Sequence, residues 1–471
     1  MARTAHLIGI CGTGMGSLAG LLKEAGFAVR GSDQDVYPPI STMLEAMGIA
    51  ILKGYRAENL DPVPDVIVVG NIVGRANPEV QALLARGLPH LSMPQALGEF
   101  VLAGRHPVVV AGTHGKTTTS ALMSHVLLEA RRDPSFLVGG VLIGSERSYR
   151  FGAGPHVVVE GDEYETAFFD KGPKFLHYRP RTAIVTSVEY DHAEMFASIE
   201  AVEEAFRQFI AIVPADGTLV ACADDPRVVR LVAAARARVI TYGLEGGALR
   251  GREISAGPAG MTFETAFGGG PPLRFSTPMT GRHNLANALA VIAAARSLGL
   301  SDAEIASGLA SFRGVHRRQE IVGEAAGVTV LDDFAHHPTA VRETIRGVRS
   351  RFPGRRLWAI FEPRTNTTRR SVFQEEYAAA FDAAYCTVIA AVDHPERAPE
   401  GERFDAERLV KDLRGRGLDA LYIPTVDAIV AHVAEETRPG DVVLVMSNGA
   451  FGGVHGRILG RLRAAESAER S

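Results

Sequence analysis

One stretch restricts this chain more than any other: Val108-Val109-Val110-Ala111-Gly112-Thr113-His114-Gly115-Lys116-Thr117-Thr118-Thr119. An apolar strand runs into a glycine turn, then into Gly-Lys-Thr, then into a helix. In such a turn the backbone N–H groups cradle phosphates, the lysine supplies a point charge, and the threonine hydroxyl can reach Mg2+. The full spacing of this loop places a glycine at position 110. Here that residue is valine, and Gly112 opens a shorter Gly-x-x-Gly-Lys-Thr form. Packing alone gives no reason for Gly-Lys-Thr at a strand-to-helix turn. The first expectation is therefore an α/β domain that holds a nucleotide on Gly112, Thr113, His114, Gly115, Lys116, Thr117 and Thr118.

The surrounding pattern repeats this architecture three times. Strand-like runs at His6–Cys11, Phe27–Gly31 and Val66–Gly70 alternate with helical segments at Gly14–Ala25, Ile40–Met47 and Pro78–Arg86. A second series has Pro107–Ala111, Val157–Glu160 and Thr182–Thr186, and a third has Val328–Leu331, Leu357–Phe361, Cys386–Ala391, Ala420–Ile423 and Val442–Met446. Near-continuous Val/Ile/Leu runs followed by helices read as buried parallel strands. The pattern breaks at Ala103–Pro107 and at Phe312–Gln319, which predicts domains over residues 1–104, 105–315 and 316–471. Between Arg250 and Pro278 it becomes short and alternating, with Gly268-Gly269-Gly270-Pro271-Pro272 inside, which predicts a small antiparallel insert with a hairpin.

Gly9-Ile10-Cys11-Gly12-Thr13-Gly14-Met15-Gly16 joins the first strand to its helix. A Gly-x-Gly-x-x-Gly turn lets a backbone approach a diphosphate at a helix N-terminus. Gly9 and Gly14 fit, while Cys11 takes the middle position. Ser32-Asp33 ends the next strand, where an acid would meet a ribose. The loop also reads as an ordinary tight turn or as part of an NAD-dependent dehydrogenase, although that enzyme would leave Gly-Lys-Thr idle.

Carboxylates close two buried strands. Glu160-Gly161-Asp162-Glu163 could share Mg2+ with Thr117, since hard cations prefer oxygen ligands. Asp191-His192 reads equally as a cap and as a metal site. Gly281-Arg282-His283-Asn284-Leu285-Ala286-Asn287 opens a helix, Arg317-Arg318 lies at the second boundary, and Asp332-Asp333-Phe334-Ala335-His336-His337-Pro338 ends a strand. Each has a bland reading as cap, linker or turn.

Composition narrows the partners. Fifty Lys+Arg against 54 Asp+Glu give a net charge of −4, which argues against a nucleic-acid-binding surface. Fifty glycines in 471 residues exceed the ~7% average and predict sharp turns and close backbone–ligand approaches. Cys11, Cys222 and Cys386 form no zinc or disulfide pattern, which fits a reducing cytoplasm. No apolar stretch reaches the length of a membrane span.

Taken together, A-G-T-H-G-K-T-T-T, the E-x-D-E cluster, E-Y-D-H, G-R-H-N-x-x-N-A and D-D-F-A-H-H-P-T resemble the Mur ligases, the ATP-dependent amide-forming enzymes of peptidoglycan. The resemblance spans nearly the whole chain. It implies a three-domain α/β fold: a Rossmann-like N-terminal domain, a P-loop central ATPase domain and a Rossmann-like C-terminal domain. Several segments resemble the branch that joins L-alanyl-γ-D-glutamyl-meso-diaminopimelate to UDP-N-acetylmuramate in cell-wall recycling. They are Val36–Thr42, Phe168–Tyr178, Glu362–Thr367 and Met446–Gly453. The branch that adds L-alanine is the alternative.

The resemblance also implies roles. Gly12, Gly14, Met15, Ser32, Asp33, Asn71 and Asn77 would hold the UDP-sugar. Lys116 would meet the ATP phosphates, and Thr117, Glu160 and His192 would ligate Mg2+. Asn284 and Asn287 would meet adenine, while Arg318 and Asp333 would reach phosphate and ribose across the junction. Arg364 and Asn448 would face the peptide. A monomer or weak homodimer without nucleic-acid partners is expected. Some members carry a carbamylated lysine for a second metal, but Ala201–Ile212 contains no lysine.

Overall fold

The computed structural model describes residues 2–38, 40–193, 195–267 and 270–469. The first sheet is parallel, in spatial order Ala50–Lys53, Ala28–Asp33, Thr4–Ile8, Val66–Val69 and Leu91–Ser92. Chain direction across the sheet reverses between Thr4–Ile8 and Val66–Val69. The loops leaving these two strands therefore splay apart and open a crevice, which is where open α/β sheets bind ligands. The two outermost strands, Ala50–Lys53 and Leu91–Ser92, are short and half-exposed, too brief to show a period in the sequence.

The central sheet has ten strands, in order Leu273–Thr277, Gly260–Phe267, Leu249–Gly257, Arg238–Gly243, Thr218–Cys222, Thr182–Val185, His106–Ala111, His156–Gly161, Ser135–Leu142 and Arg147–Arg150. The segment expected as an insert is antiparallel, but it is not separate. Leu249 and Arg250 pair with Tyr242 and Gly243, so these strands prolong the main sheet at its free edge. Residue pattern specifies an antiparallel ribbon without specifying which open edge it joins. In the expected glycine turn, Gly268 and Gly269 lie outside the described residues.

The boundary near Ala103–Pro107 divides the sequence pattern but not the core. Leu18 and Leu22 of helix Thr13–Glu24 belong to the same apolar cluster as Val109, Val159 and Phe206. The hairpin Ser135–Arg150 clamps onto that helix. The Tyr149 ring lies where a Cβ on Gly20 would stand, 2.2 Å away, Ser17 and Ser148 share a hydrogen bond at 3.0 Å, and Arg147 pairs with Glu24 at 3.0 Å.

The third sheet runs Glu320–Ala325, Val328–Asp333, Val442–Met446, Leu357–Phe361, Cys386–Ile389 and Ala420–Tyr422. Its first strand is antiparallel and the others are parallel. That edge strand, half of it exposed, is not among the strand-like runs of the sequence, which open this unit at Val328–Leu331. The linker before it holds Arg317 at φ 62° and Gln319 at φ 49°. A non-glycine residue in this left-handed region costs roughly 1–3 kcal/mol and needs support from its surroundings. Arg317 donates to the carbonyls of Ser447 and Gly449 at 2.6 and 2.7 Å, and the Gln319 N–H donates to Asp333 at 2.8 Å.

Candidate functional site

A cavity of ≈ 1800 Å³ runs between the three sheets and is lined by residues that flank all of them. At its centre the phosphate loop leaves strand His106–Ala111 and enters helix Lys116–Glu129. Gly112 and Gly115 have φ of 137° and 80°. A Cβ on Gly112 would stand 2.0 Å from Thr186 Oγ1, and one on Gly115 would stand 2.5 Å from Asn287 Oδ1. The loop is sewn to the segment after Thr182–Val185: the Thr113 N–H donates to the Ser187 carbonyl at 2.9 Å and the His114 N–H to Ser187 Oγ at 3.1 Å.

Lys116 folds back over this loop. Its Nζ donates to the Gly112 carbonyl at 2.8 Å and to Glu163 Oε2 at 3.0 Å. Burial works to lower its pKa, but Glu163, Asp162 and Glu160 outweigh it and hold the ammonium well above its ordinary range. The lysine is therefore charged and stored on an internal acid at the mouth of an anion cradle.

Thr117 and Glu160 adjoin. The Thr117 hydroxyl donates to Glu160 Oε1 at 2.9 Å, and the Gly139 N–H donates to Oε2 at 2.7 Å. Burial, then Asp162, push the Glu160 carboxyl up. A half-buried carboxylate beside a hydroxyl is a set of hard oxygen donors that fits Mg2+. His192 stands apart from this pair. Its Nε2 is 3.5 Å from Glu163 Oε1, and its ring lies 5.1 Å from that of Tyr164.

The third sheet closes the cavity. Arg318 reaches Thr117 Oγ1 at 3.2 Å and lies 4.6 Å over the Phe334 ring. Asp333 lines the cavity, yet its oxygens accept the N–H groups of Gln319 and Ala335, which fixes the linker. Asn284 donates to the Thr280 carbonyl at 2.9 Å and accepts from Asn287 at 3.2 Å, so both amides sit buried behind Gly115. A further cross-junction cluster joins His114, Glu189 and His337: Glu189 Oε2 is 3.1 Å from His114 Nε2 and accepts from Thr339 at 2.9 Å.

At the other end of the cavity, Gly12, Gly14, Met15 and Asn71 are lining residues. Ser32, Asp33 and Asn77 are not; Asp33 and Asn77 have internal work, while the Ser32 hydroxyl has no hydrogen-bond partner among the described residues. Asp33 accepts from the Cys11 N–H at 2.8 Å and from Tyr55 at 3.1 Å, which holds the glycine loop from below. Ser32 is buried, and Asn77 caps helix Pro78–Ala85. Arg364 and Asn448 line the cavity together on the third sheet.

Sequence reasoning passed over Glu163 as the lysine partner, Lys174 and Tyr164 beside Asp162, and Glu189 and His337 across the junction. Glu163 carried a signal, since it lies in the same acid cluster as Glu160. Tyr164 directly follows that cluster, while Lys174, Glu189 and His337 needed the folded chain, because their partners lie 12 or more residues away.

Three family models match in order: the Mur ligase family, catalytic domain over residues 4–105, the Mur ligase middle domain over 110–295, and the Mur ligase, glutamate ligase domain over 317–449. The chain is 38% identical over 466 residues to the UDP-N-acetylmuramate–L-alanyl-gamma-D-glutamyl-meso-2,6-diaminoheptandioate ligase of Escherichia coli strain K12, with 98% of this chain and 99% of that protein covered. Among solved structures it is similar to a murein peptide ligase from Psychrobacter arcticus, at 34% identity and a TM-score of 0.71, covering 98% and 99% of the two chains. It is also similar to a UDP-N-acetylmuramate-alanine ligase from Thermotoga maritima, at 26% identity and a TM-score of 0.80, again covering 98% and 99%.

Proposed function

This chain belongs to the Mur ligase family, and from that premise we propose that it joins L-alanyl-γ-D-glutamyl-meso-diaminopimelate to UDP-N-acetylmuramate at the expense of ATP. Full-length identity of 38% to a relative named for that reaction carries the choice of substrates. The cavity supports it chemically, since a phosphate cradle, a diphosphate-type loop and a cationic patch face one space.

In this reading, residues 1–104 hold the UDP-sugar through Gly12, Gly14, Met15 and Asn71. Residues 105–315 hold ATP, with Lys116 on the phosphates and Asn284 and Asn287 toward adenine. Arg318 and Asp333 close over phosphate and ribose. Residues 316–471 present the peptide near Arg364 and Asn448. Mg2+ at Thr117 and Glu160 would neutralise phosphate charge as a Lewis acid, with His192 and Glu163 marking a neighbouring position. The three cysteines are unpaired thiols, which suits a cytoplasmic enzyme. Among the described residues no helix is long and apolar enough to cross a membrane.

The chemistry is acyl activation. A carboxylate is a poor electrophile, so a carboxylate oxygen of the sugar's lactoyl group attacks the γ-phosphorus of ATP, giving an acyl phosphate and ADP. The α-amine of the tripeptide then attacks the acyl carbon, and collapse of the tetrahedral intermediate releases phosphate, leaving the amide and a proton. The protein contributes positioning and charge neutralisation. Lys116 leaves Glu163 for the transferring phosphoryl group, and Arg318 adds a second cation from the closing domain.

Phosphate release with UDP-N-acetylmuramate, ATP and Mg2+ tests this, with the tripeptide and L-alanine offered separately. Turnover with the tripeptide supports the reading. Turnover with L-alanine alone would establish the second reading, an L-alanine ligase, which the fold match to the Thermotoga maritima enzyme favours.

A further inference from the structure

We propose that Lys174 binds the reacting lactoyl carboxylate of the sugar substrate, an inference that rests on the reading above. The cavity is lined by two lysines, Lys116 and Lys174. Lys116 belongs to the phosphate loop, and Lys174 has no role in the scheme so far.

Its position is built from both neighbouring units. Lys174 opens the turn Lys174–Tyr178. The Lys174 N–H donates to the Tyr164 carbonyl, and the Phe175 N–H donates to the Asp162 carbonyl, both at 3.2 Å, so the turn is sewn to the acid cluster. The turn also meets the first unit. A Cβ on Gly98 would lie 3.0 Å from the His177 carbonyl, directly after helix Met93–Leu97. Met93 lines the cavity and reaches to 3.5 Å from where a Gly14 Cβ would stand. The turn that carries Lys174 thus joins the helix beside the glycine loop assigned to the UDP-sugar to the carboxylates beside the phosphate loop, and Lys174 lines the cavity that both share. The sugar's carboxylate has to cross this space to reach a phosphoryl group at Lys116.

The ammonium also has capacity to spare. The side chain is 13% exposed and makes an ion pair with Asp162 at 3.5 Å. It sits 3.9 Å above the Tyr164 ring. Among the described residues it makes no closer polar contact, although an ammonium carries three donor protons. The ring and the long pair hold the cation in place without saturating it. A carboxylate arriving from the glycine loop can accept a hydrogen bond from an ammonium proton that the long pair to Asp162 leaves available.

The test compares two sugars by calorimetric titration without ATP. UDP-N-acetylmuramate carries the lactoyl carboxylate, whereas UDP-N-acetylglucosamine has the same nucleotide and lacks it. Lys174→Met is expected to weaken UDP-N-acetylmuramate by roughly tenfold to a hundredfold, the worth of a charge-assisted hydrogen bond. Affinity for UDP-N-acetylglucosamine should not change, which also reports that the variant is folded. Lys174→Arg should recover most of the loss. Equal loss for both sugars, or loss for neither, overturns the proposal. If the unaltered enzyme binds neither sugar, it is the functional reading that fails.

Discussion

The Arg318 guanidinium donates to the Thr117 hydroxyl at 3.2 Å, across 201 positions of sequence. The Thr117 hydroxyl in turn donates to Glu160 Oε1 at 2.9 Å. One hydroxyl therefore accepts from the C-terminal unit and donates to the carboxylate assigned to the metal. The linker that carries Arg318 is held by Asp333 and by the carbonyls of Ser447 and Gly449. The docked third unit and the phosphate site are therefore joined at one hydroxyl.

Arg318→Ala should lower kcat for phosphate release by about 10²-fold, the scale of one lost transition-state donor. UDP-sugar binding, at the other end of the cavity, should be kept. Arg318→Lys should restore little, because an ammonium lacks the planar fork. Full activity in the lysine variant would show that charge alone suffices.

Lys116→Ala should abolish ADP formation and also destabilise the protein, since Glu163 is left buried without its partner. Breaking such a pair costs roughly 3–5 kcal/mol. Adding Glu163→Gln should return much of the stability in thermal unfolding while activity stays absent. Ligation by Lys116→Ala would remove the lysine from the mechanism.

Two glycine substitutions should separate the two nucleotide sites. Gly115→Ala forces a Cβ to 2.5 Å from Asn287 Oδ1 at φ 80°, so ATP affinity should fall while UDP-sugar affinity holds. A Cβ added at Gly14 meets Met93 Cε at an ordinary 3.5 Å, so the backbone tolerates it, and a bulky side chain there would occupy space at the cavity wall. It should weaken the UDP-sugar and spare ATP. Binding titrations of both ligands to both variants check the division.

Glu160→Gln should raise the Mg2+ concentration for half-maximal activity about tenfold, by analogy with lost ligand-sphere partners. The variant should not lose stability, because burial and Asp162 already disfavour the charged form of Glu160. An unchanged Mg2+ dependence would move the metal elsewhere.

Stability should fall on mild acidification. His106, His283 and His337 are each pushed down to about 4, foremost by burial, from an ordinary 6.5. Below 6.5 the unfolded chain takes up protons that the folded protein refuses. Their contribution is therefore complete above about pH 6.5 and is lost as pH falls toward 4. Urea unfolding across this window should show the decline. His283→Gln should reduce its slope by up to about 1.4 kcal/mol per pH unit; an unchanged slope would exclude His283 as a contributor.

Much of this was legible before folding. Gly112–Thr119 announced the phosphate cradle, because a left-handed turn and a lysine at fixed spacing are local requirements. Runs such as Val157–Val159 and Val442–Met446 announced buried parallel strands. Asp33 and Asn77 show the limit: position after a strand suggested a ribose contact for Asp33 and the family resemblance a UDP-sugar contact for Asn77, while in the folded chain one braces the Cys11 turn and the other caps a helix. The strand Glu320–Ala325 stayed hidden because an exposed edge strand needs little apolar patterning.

The sequence by itself determined the chemistry on offer: a phosphate loop, a diphosphate-type loop, clustered acids and three α/β series, all set by short-range periodicity and turn geometry. Only the tertiary structure decided which groups meet. Arg318 on Thr117, Lys116 on Glu163, Lys174 between Asp162 and Tyr164, and Glu189 between His114 and Thr339 depend on sheet order and on how the units dock. Those are settled by burial and shape complementarity among distant segments, and local spacing carries no record of them.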